Sequence, residues 1–149
     1  MAEDYRVPVR RLAVALYGEH GARTEVTLFL PEGQSVEAFF ESPDAFFAAS
    51  EGSNFRLYSR RAITCIEVAA TAEAGPELDD GLPRKESKVL VRMVGGMEHR
   101  GKMRFIPYEG VTRPVDVLNQ APMFFALHEE LSVKYLAKAH IEYVQEERE

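Results

Sequence analysis

One pattern occurs twice in this chain and restricts what it can become. Phe29-Leu30-Pro31 opens a segment that runs through Val36-Glu37-Ala38-Phe39-Phe40-Glu41, stops at Pro43 and resumes with Phe46-Phe47-Ala48. Phe105-Ile106-Pro107 opens another, which runs through Val115-Asp116-Val117-Leu118-Asn119-Gln120, stops at Pro122 and resumes with Phe124-Phe125-Ala126. Each reads as a strand end, a Pro/Gly turn, a short helix, a proline stop and a strand opening on Phe-Phe-Ala. The copies keep a spacing of 76 to 79 residues, the mark of an internal duplication.

The flanks extend the match. Leu12, Val14 and Leu16 alternate along Arg11 to Tyr17, and Val89, Val91 and Met93 do the same along Lys88 to Val94, which predicts strands. Glu25 to Leu30 completes one hairpin and Lys102 to Ile106 the other. Ser35 is placed to N-cap the first short helix, and Phe39 and Leu118 share one helical position, where both are expected as buried plugs. Ala45 to Ser50 and Met123 to Glu129 predict third strands. Phe55 to Val68 predicts a long last strand, bent at Arg60-Arg61, with Phe55, Leu57, Ile63, Ile66 and Val68 as core. Its counterpart is Ser132 to Gln145, where Ile141 and Val144 match Ile63 and Ile66.

These readings divide the chain into a polar lead-in (1–10), a β-β-α-β-β repeat (11–68), an acidic Pro/Gly linker (69–87), a second repeat (88–145) and a charged tail (146–149). The linker's Pro, Gly and acids leave little to bury. A repeat of about 58 residues is marginal as a lone core. The expected fold is therefore mainly β (α+β), with two small bent sheets or partly open barrels packed about a pseudo-two-fold axis, sharing a core or a continued sheet. Neighbouring strand residues point to opposite faces, so one Phe of each 46/47 and 124/125 pair faces away from its own core, into the seam or toward a partner.

Charge and composition narrow the function. The net charge is −6, which argues against nucleic acid and anionic membrane as general partners. The one cysteine, Cys65, excludes an internal disulfide and reads as cytosolic. Met1 to Arg6 is charged and leads into no apolar core, so no signal peptide is expected. No apolar run approaches the roughly 20 residues of a membrane helix.

Candidate chemistry is sparse. His20, His99, His128 and His140 are scattered, with His20 and His99 read into equivalent solvated hairpin turns, and no metal-ligand spacing joins them. Cys65 reads as a small core residue, and no Gly-x-Ser-x-Gly elbow is present. Gly95-Gly96 lacks the Lys-Ser/Thr of a phosphate loop and reads as a turn. No cofactor and no metal are implied.

Basic clusters remain. Arg100, Lys102 and Arg104 alternate onto one strand face, and Arg56, Arg60 and Arg61 share the last strand of the first repeat. The expected partner-binding residues are Arg100, Lys102, Arg104, Phe124, Phe125, Arg60 and Arg61, with an acidic protein surface as the partner and an outward Phe as its apolar anchor. RNA or a small phosphate ligand is the alternative, and a homo-oligomer is a further open partner.

The run Phe55-Arg56-Leu57-Tyr58-Ser59-Arg60-Arg61-Ala62-Ile63-Thr64-Cys65-Ile66 resembles the closing strand of Sm-like barrels, a family that includes bacterial RNA chaperones with a Tyr-Lys-His-Ala-Ile run at this place. Val133 to Ile141 is similar in outline. The resemblance implies a small β barrel and RNA binding, although Arg60-Arg61 and Lys138-Ala139 stand where that family has Lys-His, and a helix separates strands two and three. Asp116-Val117-Leu118-Asn119 also resembles an Asp-x-Leu-Asn signature of bacterial domains that implies no activity. The expectation is a non-catalytic interaction or adaptor module of the bacterial cytosol.

Overall fold

The computed structural model describes residues 9–70, 84–120 and 122–147. Most of the expected linker, 71–83, and most of the lead-in, 1–8, lie outside them.

Hydrophobic alternation decides the strands. The order is β1 (Val9–Gly18), β2 (Arg23–Pro31), α1 (Val36–Phe40), β3 (Phe46–Glu51), β4 (Asn54–Ser59) and β5 (Ile63–Ala69), then β6 (Lys85–Met93), β7 (Glu98–Phe105), α2 (Pro114–Leu118), β8 (Phe124–His128), β9 (Ser132–Ala137) and β10 (Ile141–Glu146). Single 3-10 turns, Arg60–Ala62 and Lys138–His140, separate β4 from β5 and β9 from β10. Each long last strand is thus two strands: the first is broken at Arg60-Arg61, the residues read as a bend, and the second at Lys138–His140, where no bend is expected from the sequence. β6 starts at Lys85, so 85–87 belong to a strand and not to the linker, and β7 starts at Glu98, earlier than expected.

The strands form one open antiparallel sheet in the order β10-β6-β7-β8-β9-β5-β1-β2-β3-β4. β9 pairs with β5 along Cys65↔Leu136, Ile66↔Tyr135, Glu67↔Lys134 and Val68↔Val133. The two halves therefore meet through unlike edges.

Two cores flank the junction. Leu12, Val14 and Leu16 of β1 point into one, with Ile66, Val68, Phe40, Val133 and Tyr135. Ala15, Tyr17, Cys65 and Leu136 point the other way, into the core of Val89, Val91, Met93, Met103 and Phe125. The strands β1, β5 and β9 are buried on both faces, so most of their side chains are apolar whichever way they point. Cys65 is fully buried, as expected of a core residue.

The helices differ. Ser35 caps α1, its Oγ accepting from Ala38 N at 3.0 Å, and α1 buries Val36, Phe39 and Phe40. α2 starts on Pro114, whose fixed φ suits a first helical turn, and the Asp116 carboxylate accepts from Thr112 N (3.1 Å) and Arg113 N (3.0 Å). Leu118 and Val117 are only half-buried against the second core. Leu118 is therefore not the full plug that the match to Phe39 predicts.

Gly95 is required by close approach. A Cβ there would overlap the carbonyl of Glu19 in the neighbouring hairpin. Among the described residues no helix is long and apolar enough to cross a membrane.

Candidate functional site

Among the described residues β4 ends the sheet with a free edge. Phe55 and Leu57, expected in the core, are 66% and 68% exposed, and Phe46 is 59% exposed. The pairing explains why they share a face: Ala48 stands opposite Leu57, Ser50 opposite Phe55 and Phe46 opposite Ser59. Phe47, Ala49 and Tyr58 take the inward face. Phe29 adds to the outer strip, 6.1 Å from the Phe55 ring, with Arg11 lying 5.9 Å above Phe29. Arg56 is ion-paired with Glu51 at the same edge. An edge strand with unpaired backbone groups and an apolar strip is chemically equipped to receive another strand.

The seam shows such an edge satisfied. Phe124 packs toward the first core, 5.8 Å from Phe40, and Tyr135 approaches the same ring at 5.0 Å. The Glu41 carboxylate accepts from Met123 N (2.8 Å) and Phe124 N (3.0 Å), tying the end of α1 to the start of β8. On the other face, Glu67 receives hydrogen bonds from Tyr17 Oη (2.9 Å) and Ser132 Oγ (3.0 Å). Burial works against the Glu67 charge, but these donors, with Lys134 and Arg23, outweigh it and hold the carboxyl below its ordinary range. Lys134 in turn pairs with Glu129 at 2.9 Å.

The sequence-predicted residues separate into three groups. Phe125 is buried in the second core and Phe124 fills the seam, one of the two roles expected for an outward Phe. Arg100, Lys102 and Arg104 do alternate, exposed, on β7, but Arg100 lies 2.9 Å from Glu147 and Arg104 3.0 Å from Glu86. Two of the three cations are thus matched within the chain.

Arg60 and Arg61 meet Lys138 and His140 around a cavity of about 660 Å³ beside the seam. Arg60 donates to Phe39 O at 2.9 Å and lies over the Phe39 and Phe47 rings at 4.9 and 5.2 Å. His140 Nε2 is 2.8 Å from Arg61 O; a carbonyl only accepts, so this nitrogen carries the proton. Burial lowers the pKa of Lys138.

His99 corrects another expectation. It is not in a turn but on β7 opposite Val91, 3% exposed, with the Tyr17 ring edge-on at 5.8 Å. Burial, with the charge of Lys134, lowers its pKa to about 4, so it is neutral at pH 7.

Sequence reasoning missed the β4 edge because Phe55 and Leu57 look like core by composition. No signal within the strand marks it, because β9, followed by the same kind of break, lies inside the sheet. The chain matches no family model, no curated protein and no solved structure.

Proposed function

We propose that this protein is a non-catalytic interaction module, an adaptor of the bacterial cytosol that docks a protein partner along its free β4 edge. The observation that carries the reading is the exposed strip of Phe46, Phe55 and Leu57 on a strand that, among the described residues, has one unpaired side. Backbone hydrogen bonds would give such docking its affinity, and the strip its desolvated centre. The repeat reading enters here too: each half is a β-β-α-β-β unit with its last strand broken, and β4 and β9 are the same strand of two copies. The test uses the intact chain as bait, beside a Phe55→Glu/Leu57→Glu bait and an Arg100→Glu/Arg104→Glu bait. The β4 variant should lose the partners that the wild type captures, and the β7 variant should keep them. Equal capture by the wild type and the β4 variant would overturn the reading.

The cavity that joins Arg60 and Arg61 to Lys138 and His140 favours one second reading, a small phosphate ligand or RNA of the Sm-like kind. Filter binding across a salt series decides it, since phosphate contacts give a steep salt slope. A basic β7 face would then matter through Arg100, Lys102 and Arg104, and reversing Arg100 and Arg104 should flatten that slope.

A further inference from the structure

The two 3-10 turns, Arg60–Ala62 after β4 and Lys138–His140 after β9, line one cavity of about 660 Å³, a size that admits a small organic molecule. His140 Nε2, 2.8 Å from Arg61 O, ties one turn to the other. The cations here are unlike most of the chain's. Arg23, Arg92, Arg100, Arg104 and Arg113 each lie within 3.6 Å of a carboxylate oxygen. Arg60 and Lys138 instead meet backbone carbonyls, Phe39 O at 2.9 Å and Gln120 O at 3.2 Å, and Arg60 Nε is buried with no hydrogen-bond partner among the described residues. Glu19 is the one carboxylate among the described residues that line the cavity. Much of the remaining lining is apolar: Phe40, Pro122, Met123, Phe124 and Ala137, with Met123 49% exposed. The first half supplies Arg60, Arg61 and Phe40, and the second supplies Lys138, Met123 and Phe124, so the site exists only where the halves join.

We propose that this cavity binds a small amphipathic carboxylate, a single negative charge on a short aliphatic or aromatic body. The carboxylate would accept from Arg61 and Lys138 in charge-assisted hydrogen bonds, and the body would cover Met123 and Phe124. Burial lowers the pKa of both Arg60 and Lys138, a desolvation cost that an adjacent anion offsets. Two features favour an amphipathic monoanion over phosphate. Phosphate would satisfy the cations and leave the apolar lining bare. Asp44 also acts on Arg60, and Glu41 on Lys138, from beyond ion-pairing distance, and Glu19 adds a third acid, so part of the cationic charge is already offset. The inference takes the same cavity as the phosphate reading, names a different ligand for it, and does not depend on docking at β4.

Isothermal titration calorimetry on the intact chain tests this with octanoate, octanol, acetate and inorganic phosphate. Octanol keeps the body without the charge, and acetate keeps the charge without the body. Octanoate should bind, and each of the other probes should bind at least about tenfold more weakly, because each forgoes either the charged hydrogen bonds or the apolar burial. Arg61→Gln/Lys138→Gln should weaken octanoate binding by about tenfold or more. Arg100→Glu/Arg104→Glu, which changes charge on β7, should leave it unchanged. Far-UV circular dichroism checks folding, and Met123→Glu, which sets a carboxylate against the ligand's head, replaces the double variant if that fails to fold. No octanoate binding, or equal octanoate affinity in the wild type and Arg61→Gln/Lys138→Gln, overturns the site. Phosphate binding as tight as octanoate overturns the amphipathic ligand and leaves the phosphate reading standing. The bait comparison at β4 is decided separately from either result.

Discussion

Strands β4 and β9 hold the same place in their halves, and they have opposite fates. Val133 and Tyr135 of β9 are 5% and 3% exposed, whereas Phe55 and Leu57 of β4 are 66% and 68% exposed. All four are large and apolar, so local composition cannot tell them apart. The difference is the neighbour: β9 lies between β8 and β5, whereas β4 has β3 on one side and, among the described residues, no strand on the other. The short helices differ too: Phe40 of α1 meets Phe124 and Tyr135 across the seam and Phe39 packs on Phe47 of its own half, while Leu118 of α2 is half-buried. Burial at such positions is a property of the edge a half presents, and only secondarily of its sequence.

The sharpest way to break the comparison is to truncate one residue on each side of it. Tyr135→Ala and Phe40→Ala should each cost roughly 3–5 kcal/mol in urea unfolding, the range for a buried aromatic side chain. If Tyr135→Ala costs no more than its counterpart Leu57→Ala, the two strands are energetically alike and the comparison fails.

A pH series should give the next effect. His99 has a folded pKa of about 4 against an ordinary value of 6.5, so the unfolded chain takes up a proton that the folded chain refuses. Its contribution is full above pH 6.5 and is lost as pH falls toward 4, up to about 3 kcal/mol at 1.36 kcal/mol per unit. The Glu67 contribution has the same sign, because its folded pKa is depressed. It is present above the ordinary carboxylate value and is lost as pH falls through the folded one, below most of the His99 window. Urea unfolding at stepped pH should therefore show stability falling from pH 7 to 4.5 in the wild type and a flatter limb in His99→Leu. Parallel limbs would assign the loss to other groups.

Leu118→Ala should cost less than about 2 kcal/mol, below the full range for a buried leucine, because its side chain is only partly covered. A loss as large as that of Phe40→Ala would show that α2 plugs its half as firmly as α1. Leu57→Ala, measured in dilute protein, should change stability by no more than about 0.5 kcal/mol, as an exposed substitution does. A larger loss there would mean that the strip is covered within the single chain.

Much of the fold was legible from the residues. The alternation of Leu12, Val14 and Leu16 and of Val89, Val91 and Met93, the Ser35 cap, the bend at Arg60-Arg61 and the burial of Cys65 all follow from local periodicity and turn chemistry, which act over a few residues. The alternation of Arg100, Lys102 and Arg104 was legible for the same reason. Their matching by Glu147 and Glu86 was not, because those partners arrive from other parts of the chain.

The tertiary structure alone decided how the halves join. Hydrophobic pattern tells a strand which face is inward, but it carries no information about which strand comes to lie beside it. Pairing β5 with β9 merged the sheets, buried Tyr135, packed Phe124 against the first core, and left Phe46, Phe55 and Leu57 in the open. An edge is defined by the absence of a neighbour, and that is settled only when every strand has found its place.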